Sequence, residues 1–258
     1  ENENYIDAIT LYRALIKALS LIGEPLDVIK ERKIKFSSVF PIVRGKLYLK
    51  MPYKMISCSD RHKEKELRKI DYIDSEVLQK VSPPYVLECR KDGDYLNGKI
   101  KLNNNYLESY GKRVVLYKNR MDRLNNSADI YSVPAFMPDG EVGFLATDWN
   151  KSLDKALKLL GLLGIGKERN LGYGRFSVIG INDIDFSFPS KEYRYVTGRA
   201  YAEGNYIAER LEKVQIIGGD ISPVFHSVLI LLPTGSLVKE TKPIVLSLIH
   251  ISEPTRQA

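Results

Sequence analysis

The chain has 258 residues, a length that predicts one large or two ordinary domains, and its 44% hydrophobic and 28% charged residues exclude a disordered protein. Thirty-nine Lys and Arg against 32 Asp and Glu give a net charge of +7, compatible with a polyanionic partner or with solvated lysine faces. Cys58 and Cys89 lack metal-ligand spacing, so we expect no disulfide framework and no zinc site. We also expect no other metal and no cofactor. The sequence shows no signal peptide and no apolar run that could span a bilayer, which predicts a cytoplasmic protein without a membrane partner.

The first predicted element is an amphipathic helix over residues 5–22. Ile9, Tyr12, Ile16 and Leu19 recur at helical spacing, and Gly23 and Pro25 predict the end of the helix. Because the chain enters this helix almost directly, we expect that a preceding strand has been lost.

Two short β-like runs follow, KIKFSSVFPIV and KLYLKMPY, and Arg44-Gly45 between them suits a hairpin turn. Residues 60–81 are charged with a weak apolar stripe, which predicts a solvated helix. Residues 92–112 are rich in turn formers. We therefore expect an insertion at about 53–112.

Ordered patterning resumes at RVVLYKNRMDR (113–123). Residues 129–147 predict a β-hairpin around Pro138-Asp139-Gly140, residues 151–163 an amphipathic helix, and YGRFSVIGI (173–181) a strand. Helix, two strands, helix and strand make a split β-α-β unit without its first strand, which is the ferredoxin-like arrangement of RNA-recognition folds.

The predicted fold class is α+β, with two ferredoxin-like (RRM-like) domains. The first covers 1–183 and carries the insertion and a glycine-rich loop at 161–174. The second, at 184–245, contains the strand-like runs YRYVTGRAYAE and SPVFHSVLILL and is expected to be truncated. Residues 246–258 resemble a translated sequencing adapter and are left out of the functional interpretation.

The glycine-rich segment GLLGIGKERNLGYGRF (161–176) raises two possibilities. Gly161 to Lys167 match the first seven positions of a Walker A loop. A P-loop, however, follows a strand and precedes a helix, whereas this segment follows a helix. Glu168 also stands where the Walker pattern needs Ser or Thr for magnesium, so we reject nucleotide binding.

The alternative is a phosphate-binding loop, which accounts for the spacing of all four glycines in residues 164–174. Glycines let backbone amides approach a phosphate, Lys167, Arg169 and Arg175 add positive charge, Asn170 adds hydrogen bonding, and Tyr173 offers a stacking face. A structural helix-to-strand turn would explain Gly164 and Gly166 but not Gly172 and Gly174. The pattern G-h-G-x-x-R-x-x-G-x-G-x-h between a helix and a strand resembles the signature loop of the RAMP superfamily, the RNA-binding proteins of CRISPR–Cas effector complexes.

Three further segments resemble one subunit family, the fourth subunit of the type III-A Csm complex. FSSVFPIVRGKLYLKMP (36–52) resembles its Ser-Ser-x-Phe-Pro segment, and KNRMDRLNNSADIYSVPAF (118–136) its Asn-x-Ile-Asp-Arg-x-Thr segment, with Asn119, Asp122 and Arg123 matching. TLYRAL (10–15) is similar to its first helix, although Ile9 replaces the usual Asp.

This resemblance implies a non-catalytic subunit that binds the 5′ repeat-derived handle of crRNA. It also implies protein partners, namely the large polymerase/cyclase-type subunit and a backbone RAMP subunit. The implied RNA-binding residues are Gly164, Gly166, Lys167, Arg169, Asn170, Gly172, Tyr173, Gly174 and Arg175 in the loop, with Arg120 and Arg123 as a second group. Arg123 in a salt bridge with Asp122, and Arg120 and Lys118 as solvated strand-edge charges, are structural alternatives; Leu171 is expected to pack under the loop.

Two other functions stay open. A crRNA-processing endonuclease needs a general acid and base, but outside the tail only His62, in the predicted insertion helix, and His226, in a strand-like run, are available. The handle-binding subunit of a type III-B Cmr complex would share the chemistry and differ in its partners.

Overall fold

The structure, a computed structural model, describes residues 6–27, 29, 34–52, 71–80, 95–96, 100–101, 107–108, 111–122, 127–166, 168–184, 193–200, 205–208, 211–217 and 225–239. The helices are α1 (Ala8–Leu21), α2 (Ser75–Lys80) and α3 (Lys151–Leu163), with a 3-10 turn at Arg169–Leu171. The strands are β1 (Phe40–Val43), β2 (Lys46–Lys50), β3 (Tyr72–Asp74), β4 (Tyr95–Leu96), β5 (Ile100–Lys101), β6 (Leu107–Glu108), β7 (Gly111–Asp122), β8 (Ser127–Pro138), β9 (Glu141–Gly143), β10 (Tyr193–Tyr195), β11 (Tyr206–Ile207), β12 (Glu212–Ile217), β13 (Phe225–Leu231) and β14 (Leu237–Lys239).

Helices α1 and α3 form where the apolar periodicity predicts them. Asp7 caps α1 by accepting a hydrogen bond from the Ile9 N–H, and Asn150 caps α3 by accepting one from the Leu153 N–H. The apolar faces of the two helices meet in one core cluster with Val39 and Ile34. Where α1 ends, Glu24 accepts hydrogen bonds from Ser152 and Lys155 of α3, and these bonds lower the pKa of the Glu24 carboxyl.

The largest sheet is antiparallel, with the order β6-β5-β4-β3-β2-β1-β9. The predicted hairpin at Arg44-Gly45 is confirmed: β1 pairs with β2, and both turn residues have positive φ, 51° and 76°. A two-residue turn of this hand matches the twist of the strands it joins.

The helix predicted over 60–81 is wrong at Tyr72–Asp74, which forms β3 and pairs with β2 through Leu49 and Ile73. Tyr72 and Ile73 are buried, so the pairing with β2 outweighs the weak helical stripe of the local sequence. Only Ser75–Lys80 is helical there, and residues 60–70 lie outside the described residues.

The hairpin predicted over 129–147 is also wrong. The turn at Asp139-Gly140 does separate two strands, but β8 pairs with β7 over twelve residue pairs, from Gly111 opposite Pro138 to Asp122 opposite Ser127. Strand β9 pairs with β1 instead, with Phe40 opposite Gly143. The turn residues predicted where strands end, not which strands pair.

The strand predicted at 173–181 does not form. Residues 175–184 belong to no strand, and no strand in the described part of the chain pairs with them. Phe176 and Val178 nevertheless pack against the core cluster of α1 and α3, while Ile179 and Ile181 are exposed. An alternating sequence becomes a strand only where a neighbour supplies hydrogen bonds.

The strands predicted in YRYVTGRAYAE and SPVFHSVLILL are present as β10 and β13. Strands β10, β14 and β11 form a three-stranded sheet, and β12 pairs with β13. Leu237 of β14 is buried in one cluster with Phe40, Tyr48 and Ile73 of the large sheet. The α+β class with antiparallel sheets is thus confirmed, whereas the division into two ferredoxin-like domains stays a prediction.

Candidate functional site

The glycine-rich loop begins where α3 ends. Gly164 is the C-terminal cap, and its N–H donates to the Leu160 carbonyl at 2.7 Å. A Cβ on Gly164 would lie 2.5 Å from the Tyr173 carbonyl oxygen. The start of the loop therefore touches its end.

The contact between the two ends is closest at Gly174. The Ile165 N–H donates to the Gly174 carbonyl at 2.9 Å, and a Cβ on Gly174 would lie 1.9 Å from the Ile165 carbonyl oxygen. Two residues beyond Gly174, the Phe176 N–H donates to the Gly161 carbonyl at 3.1 Å. These bonds close residues 164–174 into a compact loop with a fixed base.

All four loop glycines have positive φ, between 71° at Gly174 and 98° at Gly166. The backbone path of the loop thus requires glycine-like conformations at Gly172 and Gly174 as well as at Gly164 and Gly166. The expectation that a structural turn explains only the first pair is wrong.

Between the glycines the chain makes one 3-10 turn. Glu168 precedes it in the left-handed region with φ of 62°, and the Leu171 and Gly172 N–H groups donate to the carbonyls of Glu168 and Arg169. Asn170 and Arg175 are exposed and Arg169 is half-buried. Leu171 is 65% exposed, so the expectation that it packs under the loop is wrong.

Lys118 of β7 joins the loop to the ribbon formed by β7 and β8. Its Nζ makes an ion pair with Glu168, and it lies over the Tyr173 ring, 5.4 Å from the centroid. The Lys118 side chain is only 12% exposed. A solvated strand-edge charge, which the sequence left open for Lys118, is therefore ruled out.

The same contact defines one face of the ribbon. In the β7–β8 register, Lys118 lies opposite Tyr131 and Arg120 opposite Asp129, and residues two apart on a strand share a face. We call this side, with Val114, Leu116, Lys118 and Arg120 and their partners Ala135, Val133, Tyr131 and Asp129, the loop-side face. Arg120 is exposed on it, two residues beyond the lysine that contacts the loop.

The structure thus brings most of the predicted RNA-binding residues into one region. The loop residues from Gly164 to Arg175 lie together, and Lys118 links them to the strand that carries Arg120. Lys167 and Arg123 lie outside the described residues, so the possible Asp122–Arg123 salt bridge stays untested.

Sequence reasoning missed the role of Glu168 and Lys118 as a pair. It treated Glu168 only as an obstacle to nucleotide binding, yet the carboxylate balances the charge of a nearly buried lysine. No local signal pointed to the pair, because Glu168 already has three cations near it in the loop sequence and Lys118 lies fifty residues away.

The loop also lacks the Walker arrangement, because α3 precedes it and no helix follows it within 175–184. Among the described residues no group of three or more His, Cys, Asp and Glu could hold a metal. The side chains of His62 and His226, the candidate catalysts, lie outside the described part. None of the helices in the described part is long and apolar enough to cross a membrane.

Several solved structures share the fold. A chain of the Csm1–Csm4 cassette in complex with cA4 superposes with a TM-score of 0.56 at 18% identity, covering 91% of this chain and 80% of that one. A chain of the Csm3–Csm4 subcomplex of the type III-A CRISPR–Cas interference complex gives 0.55 at 15% identity, covering 92% and 88%. At these identities the similarity shows a common fold, and it confirms the expected resemblance to type III-A subunits.

No curated protein matches the chain. Residues 20–177, which include the end of α1, the large sheet, α3 and the glycine-rich loop, match the family model of the RAMP superfamily. Because this match covers more than half of the 258 residues, the chain belongs to the RAMP superfamily.

Proposed function

We propose that the chain is a non-catalytic, cytoplasmic, RNA-binding subunit of a type III-A CRISPR effector complex and that it binds the 5′ repeat-derived handle of crRNA. Its protein partners in this proposal are the large polymerase/cyclase-type subunit and a backbone RAMP subunit. Support comes from the family, and from the similar solved chains, which were crystallised in Csm1–Csm4 and Csm3–Csm4 assemblies. We also propose that residues 1–183 and 184–245 form two ferredoxin-like units.

The observation that carries the RNA-binding proposal is the fixed loop with cations around it. Within the described part of the chain, the N–H groups of Tyr173, Gly174 and Arg175 donate to no acceptor, and all three residues are exposed. Successive free amides beside arginine side chains suit the phosphates of a single strand. The closed base holds these donors in place before RNA arrives, which reduces the entropic cost of binding.

The loop-side face of the ribbon extends this surface. Arg120 adds an exposed guanidinium, and Tyr131 opposite Lys118 is 44% exposed, enough for its ring to stack on a base. Tyr173 keeps 42% of its surface exposed although Lys118 covers one side of its ring. We propose that the RNA passes over the loop and along this face.

The test measures binding of labelled crRNA by fluorescence anisotropy over a range of salt concentrations. Replacing Arg169 and Arg175 by Ala should weaken binding and reduce the slope of log K against log salt by about 1.4, since each phosphate contact on a single strand contributes about 0.7. Lys151→Ala, an exposed lysine on α3, is the control and should change little.

Two results would contradict the proposal. Unchanged affinity of the double variant would show that the loop has only a structural role. Equal binding to RNA whose 5′ segment has an unrelated sequence would show that the protein does not recognise the handle. The RNA should stay intact with and without magnesium; cleavage that His226→Ala abolishes would instead identify an endonuclease.

A further inference from the structure

Tyr173 occupies a tightly constrained position in the glycine-rich loop. It lies between Gly172 and Gly174, which both have positive φ, 88° and 71°. A Cβ on Gly164 would lie 2.5 Å from the Tyr173 carbonyl oxygen, so the backbone at Tyr173 packs directly on the start of the loop. The point from which the Tyr173 side chain leaves the backbone is therefore fixed by contacts within the protein.

The two faces of the Tyr173 ring have different surroundings. Lys118 lies over one face, with its Nζ 5.4 Å from the ring centroid. The lysine is held there, because its side chain is only 12% exposed and its ammonium group is paired with Glu168. Tyr173 nevertheless keeps 42% of its surface exposed, which leaves the face away from Lys118 accessible. The ring thus has one face covered by a cation and one open face.

The exposure of Tyr173 differs from that of the tyrosines that build the core. Tyr48 and Tyr72 belong to the core cluster of the large sheet and are 1% and 3% exposed. Tyr173 belongs to none of the core clusters formed by the described residues. Packing alone therefore does not explain an aromatic ring at this position of the loop.

A ring covered on one face by a cation suits a single flat base. The cation draws electron density towards itself, so the opposite face becomes a better partner for an electron-rich ring. The strength of base–aromatic stacking sets the modest base preferences of single-strand binding, and purines have the larger and more electron-rich rings. Because Lys118 occupies the other face, a second base cannot stack on the same ring.

We infer that Tyr173 is a one-sided stacking platform that binds a single purine of the RNA, and that Lys118 is the residue that positions its ring. This inference deepens the proposed function and rests on it, since the purine belongs to the bound crRNA. Lys118 acts through the Tyr173 ring and makes no contact with the base.

The test uses the full chain and handle RNA in which one purine at a time is replaced by 2-aminopurine, whose fluorescence falls when it stacks. The wild-type chain should quench one position strongly relative to the free RNA. Tyr173→Leu should abolish this quenching and weaken binding about tenfold, whereas Tyr173→Phe, which keeps a ring, should retain both. Replacing the quenched purine by a pyrimidine should weaken wild-type binding about threefold.

Tyr206→Leu is the matched control, because Tyr206 is 41% exposed and lies on β11, outside the loop. It should change neither the quenching nor the affinity. Melting temperatures of all variants show whether each one is folded.

The role of Lys118 is tested with Lys118→Met and Lys118→Arg. Met has a chain of similar length without the charge, so the quenching at the same position should fall by about half or more. Arg keeps the charge, pairs with Glu168 and stacks on aromatic faces, so it should restore the quenching. Glu168→Gln releases Lys118 and should also reduce the quenching, even where the released lysine raises total affinity through a phosphate.

The outcomes separate this inference from the proposed function. Handle binding without quenching at any position, or quenching that persists in Tyr173→Leu, would overturn the platform and leave handle binding intact. Quenching that depends on Tyr173 but is equally strong on RNA with an unrelated 5′ sequence would support the platform and refute recognition of the handle. Failure of the wild-type chain to bind either RNA would refute both.

Two further results would overturn single parts of the inference. Equal affinity for RNA with a pyrimidine at the quenched position would refute the selection of a purine. Full quenching by folded Lys118→Met would show that Lys118 does not position the ring.

Discussion

Glu168 places a negative charge in a loop whose other charged residues are Lys167, Arg169 and Arg175. Its carboxylate pairs with Lys118, and the lysine also lies over the Tyr173 ring. The three side chains hold the loop against the ribbon while neutralising one cation. The ion pair therefore fixes the position of the loop and neutralises the positive charge of Lys118 on β7.

Replacing Glu168 by Gln tests this balance. Without the carboxylate, Lys118 can turn towards RNA, so the slope of log K against log salt should steepen by about 0.7 and affinity at low salt should rise about threefold. Glu141→Gln, an exposed acid on β9, controls for the change in net charge. Both are measured by anisotropy with labelled crRNA.

Weaker binding by Glu168→Gln, with a melting temperature equal to that of the wild type, would contradict this account. It would mean that the position of the loop matters more to RNA than the charge of Lys118.

At the scale of elements, the closed glycine-rich loop depends on a crossing of backbone segments. Gly174 packs so closely on Ile165 that no side chain fits there. Gly166 has φ of 98°, but a methyl group added to it would meet no other part of the described chain within 4 Å. The two glycines share positive φ and differ in available space, so they separate the cost of backbone conformation from the cost of collision.

Gly166→Ala should cost about 1–2 kcal/mol of unfolding free energy, the usual penalty for positive φ. Gly174→Ala should cost at least about 3 kcal/mol, because the crossing segments of the loop must also move apart. Urea denaturation of both variants measures the difference. Equal losses would show that the close approach at Gly174 is not required for folding.

Sequence patterns predicted single elements better than their partners. The spacing of α1 and α3 and the turn at Arg44-Gly45 depend on neighbouring residues, and all three were predicted. The pairing of β8 with β7, the strand β3 inside a charged segment, and the absence of a strand at 173–181 depend on distant neighbours.

The same limit applies to the site. The loop cations are visible in the spacing of the sequence, but the contact between Lys118 and Glu168 joins residues fifty positions apart. No local pattern distinguishes a lysine that pairs with a loop from one on a solvated strand. The loop residues could be predicted from the sequence, whereas the ion pair between Lys118 and Glu168 that fixes the loop could not.

At the scale of the whole molecule, a polar cluster joins the start of α1 to the C-terminal strands. Asp7 pairs with Arg199 at 3.3 Å, and Ser38 lies between the Ala8 N–H, at 3.2 Å, and the Thr234 hydroxyl, at 3.3 Å. The Asp7 side chain is only 8% exposed. Removing the Asp7 side chain therefore affects both the cap of α1 and the ion pair with Arg199.

Asp7→Ala should lower the unfolding free energy by about 2–4 kcal/mol, more than the ~1 kcal/mol of a lost cap, because Arg199 loses a carboxylate in a mostly buried place. Asp7→Asn keeps the cap and loses the charge, so it should fall between Asp7→Ala and the wild type. Chemical denaturation measures both. A loss of only ~1 kcal/mol in Asp7→Ala would show that the ion pair adds nothing.

The pairing of β1 with β9 has a consequence for the order of folding. Phe40 meets Gly143 across the sheet, whereas β1 and β2 are joined by two residues. Closing the loop between Phe40 and Gly143 costs about 4 kcal/mol of chain entropy, but each doubling of the loop length adds only about 0.6 kcal/mol. The β1–β2 hairpin should thus form early, and β9 should pair with β1 late. Lengthening the segment between β2 and β9 should slow folding while hardly changing the stability of the finished sheet.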